Sequence, residues 1–110
     1  GHPRGAGTFP RVIGNYVRDM KAMEFFDAIN KMTHMPAKRL KLKNKGLIKE
    51  GFDADITVFN YDTVIDRATF QDPQLRPVGI DYVILGGGAA VKEGVTVNNR
   101  LGKYYRRGEA

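Results

Sequence analysis

Residues 46–59, which read GLIKEGFDADITVF, divide the chain into two kinds of hydrophobic pattern. Before Gly46, apolar residues recur at steps of three and four, which is typical of helices that bury one face. From Ala54 onward apolar and polar residues alternate, as they do in a half-buried β-strand. The sequence therefore predicts an α+β fold, with helices in residues 1–45 and a small antiparallel β-sheet in residues 46–110.

The helical part has one clear helix and two weaker segments. Residues 1–11 contain three glycines and two prolines and are predicted to form a loop. Residues 11–19 are predicted to form a short helix, and residues 20–34 a longer one. The longer helix carries a single apolar stripe: Ala22, Phe25, Phe26, Ile29 and Met32. Pro36 is expected to end it, because the residue before a proline avoids the α region.

Beyond Pro36, residues 37–42 are predicted to form a further helical turn with Ala37 and Leu40 facing the core. In the first strand, Ile56 and Val58 are expected to face one side, and Asp55, Thr57 and Phe59 the other. The remaining predicted elements are a strand at residues 80–85, a hairpin turn at residues 86–88, its return strand at 89–92, a turn at Glu93 and Gly94, and a last short strand at 95–97.

The composition limits the classes of protein to consider. A chain of 110 residues is long enough for one domain. It contains no cysteine, which excludes disulfides and thiolate metal sites, and we expect a cytoplasmic protein. Serine is also absent, so there is no serine nucleophile. No apolar run approaches the ~20 residues that would span a bilayer, so no membrane partner is expected.

The net charge of +6 suggests a competing function, a stand-alone basic module that binds nucleic acid or a protein partner. Basic residues concentrate in two places: Lys38, Arg39, Lys41, Lys43, Lys45 and Lys49, and then Arg100, Lys103, Arg106 and Arg107. A basic run at a helix end and a basic tail are usually solvated, so we favour a solvated surface over a nucleic-acid site.

The residues alone give no autonomous active site. The two histidines, His2 and His34, lie far apart, and no pattern completes a metal shell, so neither a metal site nor a cofactor is predicted in this chain. His34 is expected to end a helix at the surface. Asp53 and Asp55 are interpreted as turn and strand-start residues rather than as an acid–base pair. No catalytic residue is therefore assigned.

Several patches resemble one enzyme family. Residues 2–18, HPRGAGTFPRVIGNYVR, closely resemble a segment of the D-aminoacylases (N-acyl-D-amino-acid deacylases) of the amidohydrolase superfamily. Further matching patches are Lys31-Met32-Thr33 with Pro36-Ala37 and Leu40, Asp66-Arg67-Ala68-Thr69-Phe70 with Asp72-Pro73, and Gly79-Ile80-Asp81-Tyr82-Val83. Gly46-Leu47-Ile48, Gly51 and Ala54-Asp55-Ile56 resemble the broader superfamily. Lys41 departs from the pattern, which usually has a glycine there.

The resemblance implies that the chain corresponds to a C-terminal piece of a zinc-dependent hydrolase that cleaves the amide bond of N-acyl-D-amino acids. In that family a (β/α)8 barrel carries the metal ligands and a catalytic aspartate, which this chain lacks. Residues 1–45 would then be the last barrel loop and outer helices, and residues 46–110 part of the small β-sandwich. The isolated chain is expected to be inactive, and its partners would be the rest of the parent chain and, there, the substrate.

The same resemblance places two residues near the substrate. His2 and Arg4 would lie on a loop at the barrel mouth, where active-site residues of such barrels belong. Arg4 would pair with a substrate carboxylate through its planar guanidinium. Of the two roles, we favour the alternative, in which Arg4 only anchors the loop.

Overall fold

The computed structural model describes His2 and residues 4–106, apart from the side chains of Arg4 and Ala6. The chain forms two compact units, Gly1–Ala28 with Phe59–Ile80 and Ile29–Val58 with Asp81–Ala110. Each unit takes chain from both sides of residue 45. The assignment of residues 1–45 and 46–110 to two domains of a larger enzyme stays a prediction. None of the described helices is long and apolar enough to cross a membrane.

The first unit begins with a continuous helical segment where a loop was predicted. Helix α1 spans Arg4–Arg11, and a π-helix, π1, follows directly at Val12–Asp19. The loop prediction was wrong for residues 4–11, because propensity is a weak guide where tertiary packing selects the helix. The rest of that prediction includes residues 1 and 3, which lie outside the described residues. Pro10 lies in the last turn of α1, where it removes one backbone donor. The predicted helix at residues 11–19 is confirmed as helical, in the wider π form.

The predicted long helix is two helices. Helix α2 spans Phe25–Met32 and α3 spans His34–Arg39, and Thr33 between them has φ −127° and ψ −76°, outside the helical region. Pro36 therefore does not end a helix, and the prediction was wrong. It lies in the first turn of α3, where a proline is tolerated because its amide would have no helical partner. His34 begins α3 and does not end a helix.

The predicted apolar stripe is only partly buried. Phe26 is 82% exposed, whereas Ala28, which was not assigned to the stripe, is fully buried. Ala37 is buried, as predicted, but Leu40 is half exposed and the prediction that it faces the core was wrong. Both α2 and α3 are shorter than the predicted helix, and the residues they bury differ from the predicted stripe.

The sheet has four strands in the order β1-β2-β3-β4: Ile56–Phe59, Ile80–Leu85, Gly88–Lys92 and Val95–Thr96. β2–β3 and β3–β4 are antiparallel hairpins. Flanking hydrogen bonds from Gly87 N to Ala54 O and from Asn60 N to Gly79 O place β1 antiparallel to β2. The predicted antiparallel sheet is thus confirmed.

The two hairpin turns also follow the prediction. Gly86 and Gly87 have φ 58° and 85°, and Glu93 and Gly94 have φ 51° and 78°, the positive pairs that tight hairpins require. β1 departs from a strict alternation of burial, since Val58 is exposed whereas Ile56 and Phe59 are half-buried.

The core of the first unit lies where the sequence pattern was ambiguous. Val64 is fully buried, and Ile13 and Val17 of π1 are almost fully buried. Ile65 pairs with Val78 in an isolated antiparallel bridge. The core therefore joins π1 to an irregular segment, and this segment supports the candidate site.

Candidate functional site

Residues 61–70, here called the backing segment, support the N-terminal helices of the first unit. Arg18, near the end of π1, donates from Nη1 to the carbonyl oxygens of Tyr61 at 3.1 Å and Val64 at 2.8 Å. At Gly14, one turn earlier, the backbone approaches Val64 so closely that an added Cβ would overlap the Val64 carbonyl oxygen. The end of π1 is therefore fixed to the start of the backing segment.

Asp66 supports α1 at the middle of the backing segment. Its side chain is only 3% exposed, and Arg11 Nη1 lies 3.4 Å from Asp66 Oδ1. A Cβ at Gly7 would lie 2.7 Å from Asp66 Cβ, so the glycine allows the helix to pass directly over the carboxylate side chain. Burying a carboxylate costs hydration free energy, and the ion pair with Arg11 offsets part of that cost.

The predicted substrate-binding residues lie just before and at the first residue of α1. His2 is exposed, and its ring lies edge-to-face on Phe70, with the centroids 5.2 Å apart. Arg4 is the first residue of α1, and its side chain lies outside the described residues. Along the backing segment, from residue 61 to 70, the contacts are made first with Arg18, then with Arg11 and last with His2. The two segments are antiparallel, and the backing segment determines the path of the chain up to His2.

A second cluster lies in the second unit around Lys45. The Lys45 ammonium is 3.0 Å from Asp53 and 2.5 Å from Asp55. Asp55 also accepts a hydrogen bond from the Gly86 amide at 2.8 Å, and Lys45 lies 4.7 Å from the centre of the Tyr105 ring. The cluster connects the start of β1, the β2–β3 turn and the C-terminal tail.

Opposing effects set the protonation of this cluster. Burial raises the pKa of Asp55, but the hydrogen bonds from Lys45 and Gly86 outweigh it and hold that pKa below its ordinary value. Burial lowers the pKa of Lys45, but its hydrogen bonds to Asp55 and Asp53 raise it well above its ordinary value. A carboxylate held charged in this way is a poor proton acceptor, which supports a structural role for Asp55. The turn and strand-start roles assigned to Asp53 and Asp55 stay predictions.

Lys45 is therefore not part of a solvated basic surface. Its side chain is 18% exposed and lies between two carboxylates. The neighbouring basic residues Lys38, Arg39, Lys41 and Lys43 remain exposed. A cavity of about 470 Å³ adjoins the cluster, with Leu85, Leu101 and Lys103 in its wall.

The family of the chain follows from its match to known proteins. Residues 1–91 match the family model described as Amidohydrolase family, which is most of the chain. The chain belongs to the amidohydrolase family. The resemblance noted from the sequence, to the D-aminoacylases within that superfamily, is confirmed by similarity to individual members.

Two relatives come from Alcaligenes xylosoxydans xylosoxydans. The chain is 41% identical over 106 residues to an N-acyl-D-glutamate deacylase and 39% identical over 106 residues to a D-aminoacylase. Each alignment covers 96% of this amidohydrolase chain but only 22% of the relative. The chain therefore spans about a fifth of the length of these enzymes.

Solved structures show the same relation. A crystal structure of D-aminoacylase superposes with a TM-score of 0.90 at 38% identity, over 96% of this chain and 22% of that one. N-acyl-D-glutamate deacylase from Bordetella bronchiseptica, crystallised with zinc and a phosphonate that mimics the tetrahedral intermediate, superposes with a TM-score of 0.79 at 37% identity, over 96% and 21%. The chain therefore has the fold of the matching part of such an enzyme, in agreement with the predicted α+β class.

The metal implied by this family does not fit the part of the chain that the structure describes. Within it, no three His, Asp or Glu side chains come together in a way that could hold a metal ion. His2 packs on Phe70, and Asp53 and Asp55 hold Lys45. No step of a reaction can be assigned to a metal on these residues.

The residues that organise this site were not predicted as site residues. Asp66 and Gly14 were noted only within patches that resemble the family, and Gly7 also as one of the glycines of a predicted loop. One signal was available in the pattern: Arg11 and Arg18 are seven residues apart and so share a helix face. Two arginines on one face indicate acceptors opposite, which are here Asp66 and the carbonyls of the backing segment.

Proposed function

We propose that this chain is the part of a zinc-dependent N-acyl-D-amino-acid deacylase that supports the substrate end of the active site. The whole enzyme would hydrolyse the amide bond of an N-acyl-D-amino acid. The observation that carries the proposal is the match over 96% of the chain, at 38% identity and a TM-score of 0.90, to D-aminoacylase. The metal would be held by residues outside this chain.

Within that enzyme, the chain's contribution would be to bind and orient substrate. His2 and Arg4 lie at the start of α1, and the backing segment holds that end through Phe70 and Asp66. The guanidinium of Arg4 would pair with the α-carboxylate of the substrate, which an N-acyl amino acid carries whatever its side chain. A fixed carboxylate would orient the scissile amide relative to the catalytic groups.

The isolated chain should be inactive. We expect no hydrolysis of N-acetyl-D-amino acids by residues 1–110, with or without added zinc, because the described residues form no metal-ligand cluster. The measurement is release of the free D-amino acid, with whole D-aminoacylase as the positive control. Zinc-dependent release by the isolated chain would contradict this expectation.

A chimera tests the proposed function itself. The segment of D-aminoacylase that matches this chain is replaced by residues 2–106, leaving the metal-bearing remainder unchanged. We expect the chimera to hydrolyse N-acetyl-D-amino acids and to leave the N-acetyl-L enantiomers intact. In its Arg4→Ala variant KM should rise, whereas Arg76→Ala, an arginine exposed in the first unit, serves as the matched control. A folded, metal-loaded chimera without activity would refute the proposal.

A further inference from the structure

We propose that Asp66 is a positioning residue for deacylation, and that it holds α1 so that Arg4, the first residue of that helix, meets the substrate carboxylate. This inference rests on the proposed function, in which His2 and Arg4 lie at the substrate. Asp66 would not touch the substrate itself. It would act through the helix that crosses it.

The contacts of Asp66 fix both the distance and the rotation of α1. Gly7 allows the helix backbone to lie against Asp66 Cβ, and an added Cβ at Gly7 would also lie 3.0 Å from Oδ2. Arg11, one turn later on the same helix, reaches Oδ1 of the same carboxylate. Two contacts one turn apart define the direction of a helix, and both are made to one side chain.

α1 is too short to hold a fixed orientation without its contacts to Asp66. It has 8 residues, two of them glycine and one proline. A helix this short is marginal in water even for favourable sequences, so its position depends on what it packs against. The segment before it makes a described contact with the same backing segment, that of His2 with Phe70. A shift at Asp66 would therefore move the His2 end of the chain.

Burying the Asp66 carboxylate costs hydration free energy, which argues against a purely structural role. Burying a charge loses its hydration, and an apolar side chain of similar size packs without that loss. Arg11 keeps 35% of its side chain exposed while its Nε is buried without a hydrogen-bond partner among the described residues. The pair thus has a defined geometry but leaves a buried Arg11 nitrogen without a described hydrogen bond. This fits a role in orienting α1 better than a role in stabilising the fold.

The test uses Asp66→Asn in the active chimera, because asparagine keeps the shape and removes the charge. We expect KM for an N-acetyl-D-amino acid to rise about tenfold while kcat changes less than about twofold, since the lost interaction is with the bound substrate. Asp62→Asn, the same change at an exposed aspartate of the same segment, should leave both unchanged. Asp66→Glu should recover part of the loss.

A substrate without a carboxylate sharpens the test. With an N-acetyl-D-amino acid amide, Asp66→Asn should no longer raise KM. If Asp66 is merely structural, the variant would instead contain less folded enzyme, so kcat would fall and KM would stay constant for both substrates. That pattern, or unchanged kinetics, would overturn the inference. An inactive parent chimera would refute the proposed function before any variant is compared.

The isolated chain gives an independent readout of position. The imidazole proton shifts of His2 report its contact with the Phe70 ring, and Phe70→Leu defines the shifts without that ring. We expect Asp66→Asn to move the His2 signals towards those of Phe70→Leu, and Asp62→Asn to leave them in place. His2 signals that do not respond to Asp66→Asn would overturn the inference.

Discussion

Two pairs of glycines, one pair in each unit, are required for different physical reasons. In the first unit, Gly7 and Gly14 have ordinary helical backbones but lie against Asp66 and Val64 with no space for a Cβ. In the second unit, Gly86 and Gly87 have open space around them but positive φ angles. The first pair allows two segments to approach closely, and the second allows the chain to turn.

This difference explains which parts of the fold the sequence could predict. A turn glycine has a local signature, because it stands between two alternating runs, and both hairpins were predicted at Gly86-Gly87 and Glu93-Gly94. A glycine of close approach has no local signature, since its partner at residue 64 or 66 lies far along the chain. Residues 1–11 were therefore predicted as a loop, whereas Arg4–Arg11 form α1.

The largest effect should come from filling a close-approach site. Gly14→Ala places a methyl group on the Val64 carbonyl oxygen and 2.6 Å from Ile65 Cδ1. We expect a loss of about 3 kcal/mol in the free energy of unfolding, measured by urea titration, because backbone cannot move as a side-chain end can. Gly5→Ala is the matched control, since it lies in α1 with open space and should stabilise the helix by up to ~1 kcal/mol. Equal effects at the two sites would show that the close approach to Val64 does not require a glycine at position 14.

A turn glycine should cost less. Gly87→Ala meets no atom within 4 Å, so its cost is the strain of an alanine at φ 85°, about 1 kcal/mol. Gly87→Asn should recover about half, because asparagine tolerates this conformation. Gly102→Ala, also in open space but without a positive φ, should be neutral or slightly stabilising. A loss at Gly87 as large as that at Gly14 would show that the turn is packed and not merely strained.

The candidate site was less predictable than the fold for a related reason. His2 and Arg4 were selected from a family resemblance, and their substrate role stays a prediction. Asp66 was not selected, because the hydrophobic pattern of residues 63–70 is ambiguous and does not show that Arg11 lies opposite the carboxylate. Lys45 was counted as surface charge, because sequence does not show that the start of β1 brings Asp53 and Asp55 around it.

The smallest effect on stability is expected from the charged cluster of Lys45 and Asp55 in the second unit, and it should depend on pH. The pKa of Asp55 is lowered from 3.8, so its contribution to stability is complete above that value and is lost as the pH falls through the lower folded pKa. The pKa of Lys45 is raised from 10.5, so its contribution is complete below that value and is lost only as the pH rises through the higher folded pKa. Between these limits the cluster should stabilise the chain by a constant amount.

Asp55→Asn should therefore cost no more than about 1 kcal/mol at neutral pH, because the cluster is partly solvated. Its effect should shrink as the pH falls below 3.8, where the parent chain loses the same interaction. Urea titrations of both chains between pH 2.5 and 7 would measure this, with the exposed Asp62→Asn as the control. A difference that grows towards acid would mean that Asp55 is stabilised as the neutral acid, so that the cluster could take up a proton and would no longer be a purely structural counterpart to the buried pair of Arg11 and Asp66.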